Sequence, residues 1–189
     1  MIVYPYKERN MSGWYYFDNA LSTKDIDLLE KSAKPNLVSA KTEAGNKKEI
    51  RKSSIAWLAH DDYTWLYPKL RDLVKEANDT LWDFDITMMR EEAQYTEYNE
   101  GGGHYGWHMD AGSGILSQRK VSVTVQLSDP EEYEGGELEL WYGGDEPIQA
   151  PKGKGVGVIF PSYMLHRVTP VTKGTRKSLV LWVGGQHYR

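Results

Sequence analysis

The sequence predicts a mainly β domain with helices on its N-terminal side, built as a double-stranded β-helix, or jelly roll. Three observations carry this. From about residue 86 onward, eight short segments (86–90, 93–99, 105–110, 120–127, 137–142, 156–160, 164–170 and 177–183) are alternating or apolar and are separated by Gly, Pro, Asp or Ser. In one of them Val121, Val123, Val125 and Leu127 alternate with Ser122, Thr124 and Gln126, a strand period of two. Two segments of helical periodicity precede all of these. Many short strands with regular turns fold as two packed antiparallel sheets, and the jelly roll is the usual solution. The helices then cover one sheet face.

In chain order, residues 22–34 form the first helix. Ser22 is its N-cap and Asp25 stands three positions on, as in a capping box. Ile26, Leu29 and Ala33 make the apolar stripe, and Pro35 ends it. Residues 39–54 are polar, with Lys41, Lys47, Lys48, Arg51 and Lys52 against Glu43 and Glu49, and read as a solvated loop or hairpin. The second helix spans about 63–81, with Leu66, Leu70, Leu73, Val74, Ala77 and Leu81 on one side and Pro68 in its first turns. Among the strands, Gly135-Gly136 marks a tight turn and the Gly101–Gly103 run permits backbone that other residues avoid.

Length and composition bound the classes. A chain of 189 residues suits a single domain over 1–189, with helical support at about 20–82 and a jelly-roll core at about 86–185. No run of about eighteen apolar residues predicts a membrane span, and Met1–Arg9 lacks the basic start and apolar stretch of a secretory signal. The absence of cysteine excludes disulfides and thiolate metal sites. A cytoplasmic location is expected. A net charge of −4 argues against a nucleic-acid partner. Most of the seven Trp and thirteen Tyr are expected as core fillers.

The chemistry concentrates at His108-Met109-Asp110, with His166 following 58 residues after His108 and Arg176 ten residues later. Two imidazoles and one carboxylate are the facial triad of mononuclear non-haem Fe(II). Alternation along a strand points residues i and i+2 the same way, so His108 and Asp110 aim at one point and His166 arrives from a distant strand. Zinc also takes His and carboxylate. Arg176 tips the balance toward iron, since a chelated 2-oxo diacid leaves a far carboxylate that a guanidinium fork can bind. Ser178 shares its face. Arg167 should point away from the metal, and His60, His104 and His187 have no ligand spacing.

The stretch Tyr98-Asn99-Glu100-Gly101-Gly102-Gly103-His104-Tyr105-Gly106-Trp107-His108-Met109-Asp110 resembles the 2-oxoglutarate, Fe(II)-dependent dioxygenases of the prolyl-4-hydroxylase-like branch. The resemblance continues through Leu127–Pro130, Tyr133–Leu138 and Phe160–Ser162, and ends with Leu165-His166-Arg167-Val168-Thr169-Pro170-Val171 and Gly174–Ser178. The last part is similar to the bacterial PKHD-type hydroxylases, and residues 14–22 look like the family's entry segment. The match covers roughly 14–185.

The resemblance implies a jelly roll and a dioxygenase that uses Fe(II) and 2-oxoglutarate, with ascorbate as an accessory cofactor. It implies His108, Asp110 and His166 as metal ligands and Arg176 as the clamp for the distal carboxylate. Ser178 is a second contact, and Tyr98 and Gln126 are co-substrate contacts, Gln126 standing where a tyrosine is common. Tyr105, Trp107, Trp141 and Trp182 are expected to shape the substrate pocket. The implied reaction is hydroxylation of a prolyl residue in a peptide or protein, with release of succinate and CO2. A free amino acid or other small molecule is the alternative substrate, and a non-catalytic jelly-roll binding module the alternative class. The family carries a lid near the position of residues 39–54, so a substrate-facing lid stands beside the loop reading there.

Overall fold

A computed structural model describes residues 13–40 and 49–186. Residues 41–48, which hold most of the charges behind the lid expectation, lie outside the described residues, as does His187. The elements run β1 (Tyr15–Phe17), α1 (Thr23–Ala33), β2 (Val38–Ser39), β3 (Arg51–Lys52), β4 (Ser54–Leu58), α2 (Leu66–Leu81), β5 (Ile86–Met88), β6 (Ala93–Asn99), β7 (Gly103–His108), β8 (Arg119–Gln126), β9 (Tyr133–Gly135), β10 (Leu138–Trp141), β11 (Ile148–Gln149), β12 (Gly157–Pro161) and β13 (Leu165–Gly185).

The strands form two antiparallel layers joined by β13. The major layer runs β1-β12-β8-β13-β6-β4-β2, with β5 also on β13. The minor layer sets β10, β7 and β9 against β13, with β11 beyond β10 and β3 beyond β7. The sequence predicts two separate strands at 164–170 and 177–183. Instead the chain pairs without a break across 165–185, because β9 supplies partners for Val171, Lys173 and Gly174 before β6 takes over at Thr175. β13 therefore starts in the minor layer and ends in the major one.

The capping box of α1 forms: Asp25 N donates to Ser22 Oγ at 3.2 Å, and Ser22 N to Asp25 Oδ2 at 3.2 Å. α2 starts at Leu66 rather than 63, with no side-chain cap, so Pro68 falls in the first turn, where its missing N–H has no intrahelical partner to lose. Ile26, Leu29 and Ala33 of α1 and Leu66, Leu70, Val74 and Ala77 of α2 are fully or almost fully buried in one cluster with Val121, Val123, Val125, Leu179 and Leu181. Burying each of the Ile, Leu and Val side chains contributes about 1.5–3 kcal/mol before entropy is counted. A second cluster, including Tyr98, Leu138, Leu140, Val158, Phe160 and Val168, fills the space between the layers.

Part of the expected loop at 39–54 is strand. Arg51 and Lys52 pair with Tyr105 and His104 of β7, and β4 pairs with β6. Charge alone made this stretch look solvated, but cross-strand pairing draws it into both layers. The short strands β1, β9 and β11 likewise owe their existence to neighbours, not to a pattern of their own. Among the described residues no helix is long and apolar enough to cross a membrane.

Candidate metal and co-substrate site

The alternation in β8 has an unexpected consequence. Val121, Val123 and Val125 face the helices, so Ser122, Thr124 and Gln126 face the space between the layers, where all three are buried. Their cross-strand neighbours on β13 are Trp182, Val180 and Ser178; next on β6, Gln94 pairs Val180 and Thr96 pairs Ser178, while Tyr98 stands opposite Arg176. This face of the major layer borders a cavity of about 390 Å³, lined by Gln94, Tyr98, Thr124, Ser178, Val180 and Trp182 among others. Both of the major layer's faces are covered.

His108, Asp110 and His166 meet at the mouth of this cavity, with one ligand atom from each lying within 4.8 Å of the others. His108 is the last residue of β7 and stands opposite His166 on β13. Asp110 lies just past the strand and is held there because its own N–H and that of Ala111 donate to Ser162 O, at 2.9 and 2.8 Å. His108 Nδ1 lies 2.8 Å from Gly106 O, and His166 Nδ1 lies 2.9 Å from Met164 O. A carbonyl only accepts, so each Nδ1 carries a proton and Nε2 is the nitrogen each ring has left to offer a metal. Those two Nε2 atoms lie 3.7 and 3.5 Å from the Asp110 carboxylate.

Electrostatics keep the donors in ligand form. Burial, followed by the neighbouring His166, pushes His108 down to about 4, so its ring is neutral at pH 7. Burial alone would raise Asp110. His166, His108 and the Ser122 hydroxyl more than offset this, and its carboxyl sits below the usual range. Ser122 Oγ donates to Asp110 Oδ2 at 2.7 Å and is itself 2.9 Å from Ser162 Oγ. Trp182 also favours the ionised form, yet its buried indole N–H meets no acceptor at hydrogen-bond distance.

Arg176 lies deeper in the same cavity and is only 1% exposed. Nη2 donates to Gln126 Oε1 at 2.9 Å, Nη1 reaches Ser178 Oγ at 3.4 Å, Nε has no partner, and the guanidinium lies 5.3 Å from the centre of the Tyr98 ring. None of the ion pairs among the described residues involves it. A buried guanidinium held only by neutral groups is costly, and buried charges are ordinarily paired. Gly136 makes room for it: its φ is +63°, and a Cβ there would lie 3.0 Å from Arg176 Cδ and 2.9 Å from Val171 Cγ2.

The residues singled out from sequence separate cleanly. Tyr98, Tyr105, Ser178 and Trp182 line the cavity. Gln126 does not line it; its amide holds Arg176, while its Nε2 donates to Pro151 O at 3.3 Å. Trp107 and Trp141 do not line it either. Alternation along β7 and β10 turns them outward, 39% and 47% exposed, as a ring pair 6.3 Å apart on the outer face of the minor layer. Arg167 joins them there, 4.6 Å over Trp107 and bonded to Glu139 at 2.6 Å, pointing away from the triad as alternation requires. His60 bonds Met89 O and His104 bonds Gly102 O, so both are satisfied locally. Sequence reasoning missed Arg51, Trp57, Gln94, Thr124 and Arg119, which also line the cavity. For Gln94 and Thr124 the period of two carried the signal; for Arg51 the one signal is its place in the 39–54 stretch, whose alternative reading is a substrate-facing lid.

Comparison with known proteins agrees with this geometry. The profile of the 2OG-Fe(II) oxygenase superfamily matches residues 93–184, the stretch that carries both histidines, Asp110 and Arg176. A PKHD-type hydroxylase of Hyphomonas neptunium is 45% identical over 91 residues, 44% of this chain and 39% of that protein. The chain thus spans about two fifths of the length of several curated relatives it matches. A longer match, to a PKHD-type hydroxylase of Aliarcobacter butzleri, is 35% identical over 173 residues, 85% of this chain and 72% of that one. Among solved structures, a Trichoplax adhaerens prolyl hydroxylase in complex with a peptide fragment of hypoxia inducible factor superposes with a TM-score of 0.75 at 20% identity, covering 92% of this chain and 84% of that one. A Pseudomonas putida prolyl-4-hydroxylase does so with a TM-score of 0.74 at 20% identity, over 93% and 94%. Similarity at that level shows the shared jelly-roll fold, while the Aliarcobacter match extends over most of both chains, and on that ground the chain belongs to the PKHD-type hydroxylases of the 2OG-Fe(II) oxygenase superfamily.

Proposed function

We propose that this protein is an Fe(II)- and 2-oxoglutarate-dependent dioxygenase that hydroxylates an unactivated C–H, its target a prolyl residue in a peptide or protein. The observation that carries the reading is Arg176, a buried cation that pairs with no carboxylate among the described residues, in the cavity that the His-Asp-His cluster opens onto. The donor set fits Fe(II): two imidazoles that offer Nε2 while Nδ1 is held by a carbonyl, and one ionised carboxylate, all from one side. The orphaned Nε of Arg176 fits the far carboxylate of 2-oxoglutarate.

Iron bound there supplies the oxidative chemistry, coupling decarboxylation of 2-oxoglutarate to insertion of one oxygen atom into the substrate. The chain supplies the rest. Gly106 O and Met164 O hold the imidazoles in one tautomer, and Ser122 holds Asp110 ionised and oriented. Arg176, pinned by Gln126, receives the distal carboxylate, with Ser178 as a second contact and the Tyr98 hydroxyl as a donor. Tyr105, stacked 3.5 Å from His108 between ring centres, and Trp182 close the cavity around the ligands and keep water from the reacting carbon.

The test is stepwise. Purified protein with Fe(II) and 2-oxoglutarate should release succinate slowly alone and faster with a proline-containing peptide, and mass spectrometry should find a 16 Da gain on proline. Succinate without any hydroxylated proline across a peptide library would remove the prolyl assignment. No succinate at all would remove the enzyme reading.

A further inference from the structure

Three arginines reach the cavity. Arg119 is neutralised in place: Nε and Nη2 both bond Glu91, the first at 2.7 Å. Arg176 awaits the co-substrate on the reading above. Arg51 is left over. It is only 9% exposed, and its bonds go to neutral partners, Nε to Ser53 Oγ at 2.9 Å and Nη2 to Gln94 Oε1 at 2.7 Å. Nη1 has no bond among the described residues, and no carboxylate there pairs with this guanidinium. A glutamate at position 94 would close an ion pair; the chain carries its amide, which orients the guanidinium without neutralising it.

The position is where a substrate would sit. The Arg51 guanidinium lies 4.7 Å over the Tyr105 ring, whose other contact is the face of His108. Arg51 thus lines the same cavity as the metal ligands, one aromatic ring removed from His108. The formal charges point the same way. Fe(II) with Arg176 would balance Asp110 and the two carboxylates of 2-oxoglutarate, which leaves Arg51 as the cavity charge with no counter-charge among the described residues. A desolvated cation of this kind favours an anionic ligand strongly, and a guanidinium with a free edge favours a carboxylate.

We propose that Arg51 binds the substrate, and that the substrate presents a carboxylate to it. This deepens the hydroxylase reading and rests on it. The carboxylate comes from one of two sources: an acidic side chain next to the target residue in a peptide, or the free carboxylate of an amino acid or chain terminus.

The experiment measures binding, with protein loaded with Mn(II) and an inert 2-oxoglutarate analogue so that Arg176 is occupied. Quenching of the cavity tryptophans Trp57 and Trp182 reports occupancy. The probes are matched acid and amide pairs: acetylated prolyl tetrapeptides with Glu or Gln, and Asp or Asn, before and after proline, and L-proline and acetyl-Ala-Pro against their amides. In at least one pair the acid should bind about tenfold to a hundredfold more tightly, and which pair responds identifies the source. Arg51→Gln should abolish the preference and Arg51→Lys retain part of it. Gln94→Glu, which neutralises Arg51 in place, should abolish it too and covers the case in which Arg51→Gln fails to fold. Equal binding of acid and amide in every pair, or a preference that survives both Arg51→Gln and Gln94→Glu, would overturn the proposal. Failure of the hydroxylase reading looks different: wild-type protein would then release no succinate from 2-oxoglutarate, whatever the pairs return.

Discussion

Replacing Arg176 by methionine should move stability and co-substrate binding independently. In the ligand-free protein its guanidinium is desolvated, one nitrogen is orphaned, and the shortest bond is to the neutral Gln126 amide at 2.9 Å. Exchanging such a buried charge for a well-packed apolar side chain is often neutral or stabilising by about 1–4 kcal/mol. The exchange strands the Gln126 oxygen, a loss of about 1–3 kcal/mol, so the single variant should lie near the parent. Adding Gln126→Leu removes the stranded oxygen and gives up only the 3.3 Å bond to Pro151. The double variant should therefore equal or exceed the parent in urea denaturation of the ligand-free, metal-free protein. Binding should move the other way. Removing one partner of a buried charged pair costs about 2–5 kcal/mol, so the Kd for 2-oxoglutarate in the Mn(II)-loaded protein should rise roughly 30-fold to several thousandfold. The assay pair is a urea midpoint and a calorimetric Kd. A double variant destabilised by more than about 2 kcal/mol would show that Arg176 holds the fold together, against the energetics used here. An unchanged Kd would place the carboxylate clamp elsewhere.

Three further outcomes follow from the site. His108→Ala, Asp110→Ala and His166→Ala should each lose Fe(II) on dialysis while keeping the parent circular dichroism spectrum; retained stoichiometric iron in any of them would remove that residue from the ligand set. Ser122→Ala takes away the 2.7 Å donor to Asp110 and should weaken metal affinity about 10–100-fold, read by competition with a chelator. Because His108 is held down to about 4 from an ordinary 6.5, the folded metal-free protein binds fewer protons than the unfolded chain between those values. Its stability should then fall as pH drops from about 6.5 toward 4, and the slope of urea midpoint against pH should flatten in His108→Gln; an identical slope would assign the dependence to other groups.

The helix α1 with its Ser22–Asp25 capping box, the β6 boundaries and the alternation in β8 were readable from sequence because each depends on neighbours within a few positions. The same is true of the ligand motif, since His108 and Asp110 are two apart and Arg176 and Ser178 share a face of β13. What alternation could not tell was where the polar face goes. Ser122, Thr124 and Gln126 alternate with the apolar residues of the strand, and only the minor layer closing over them buries that face, with Thr124 lining the cavity. Trp107 and Trp141 were drawn toward the pocket by their nearness to the motif, whereas strand parity sends them outward.

By itself, then, the sequence determined the kind of chemistry, because metal donors and an anion clamp are fixed by residue type and short-range spacing. Tertiary structure decided which side chains share the cavity. Arg51 sits in a run of charges that looks like any exposed loop, and it becomes a cavity residue only because β3 pairs with β7, some fifty positions along the chain. That no carboxylate among the described residues pairs with it is likewise invisible in sequence, where acidic residues are plentiful. Burial and pairing depend on contacts between distant segments, and those contacts decide whether a charge is solvated, neutralised or left waiting for a ligand.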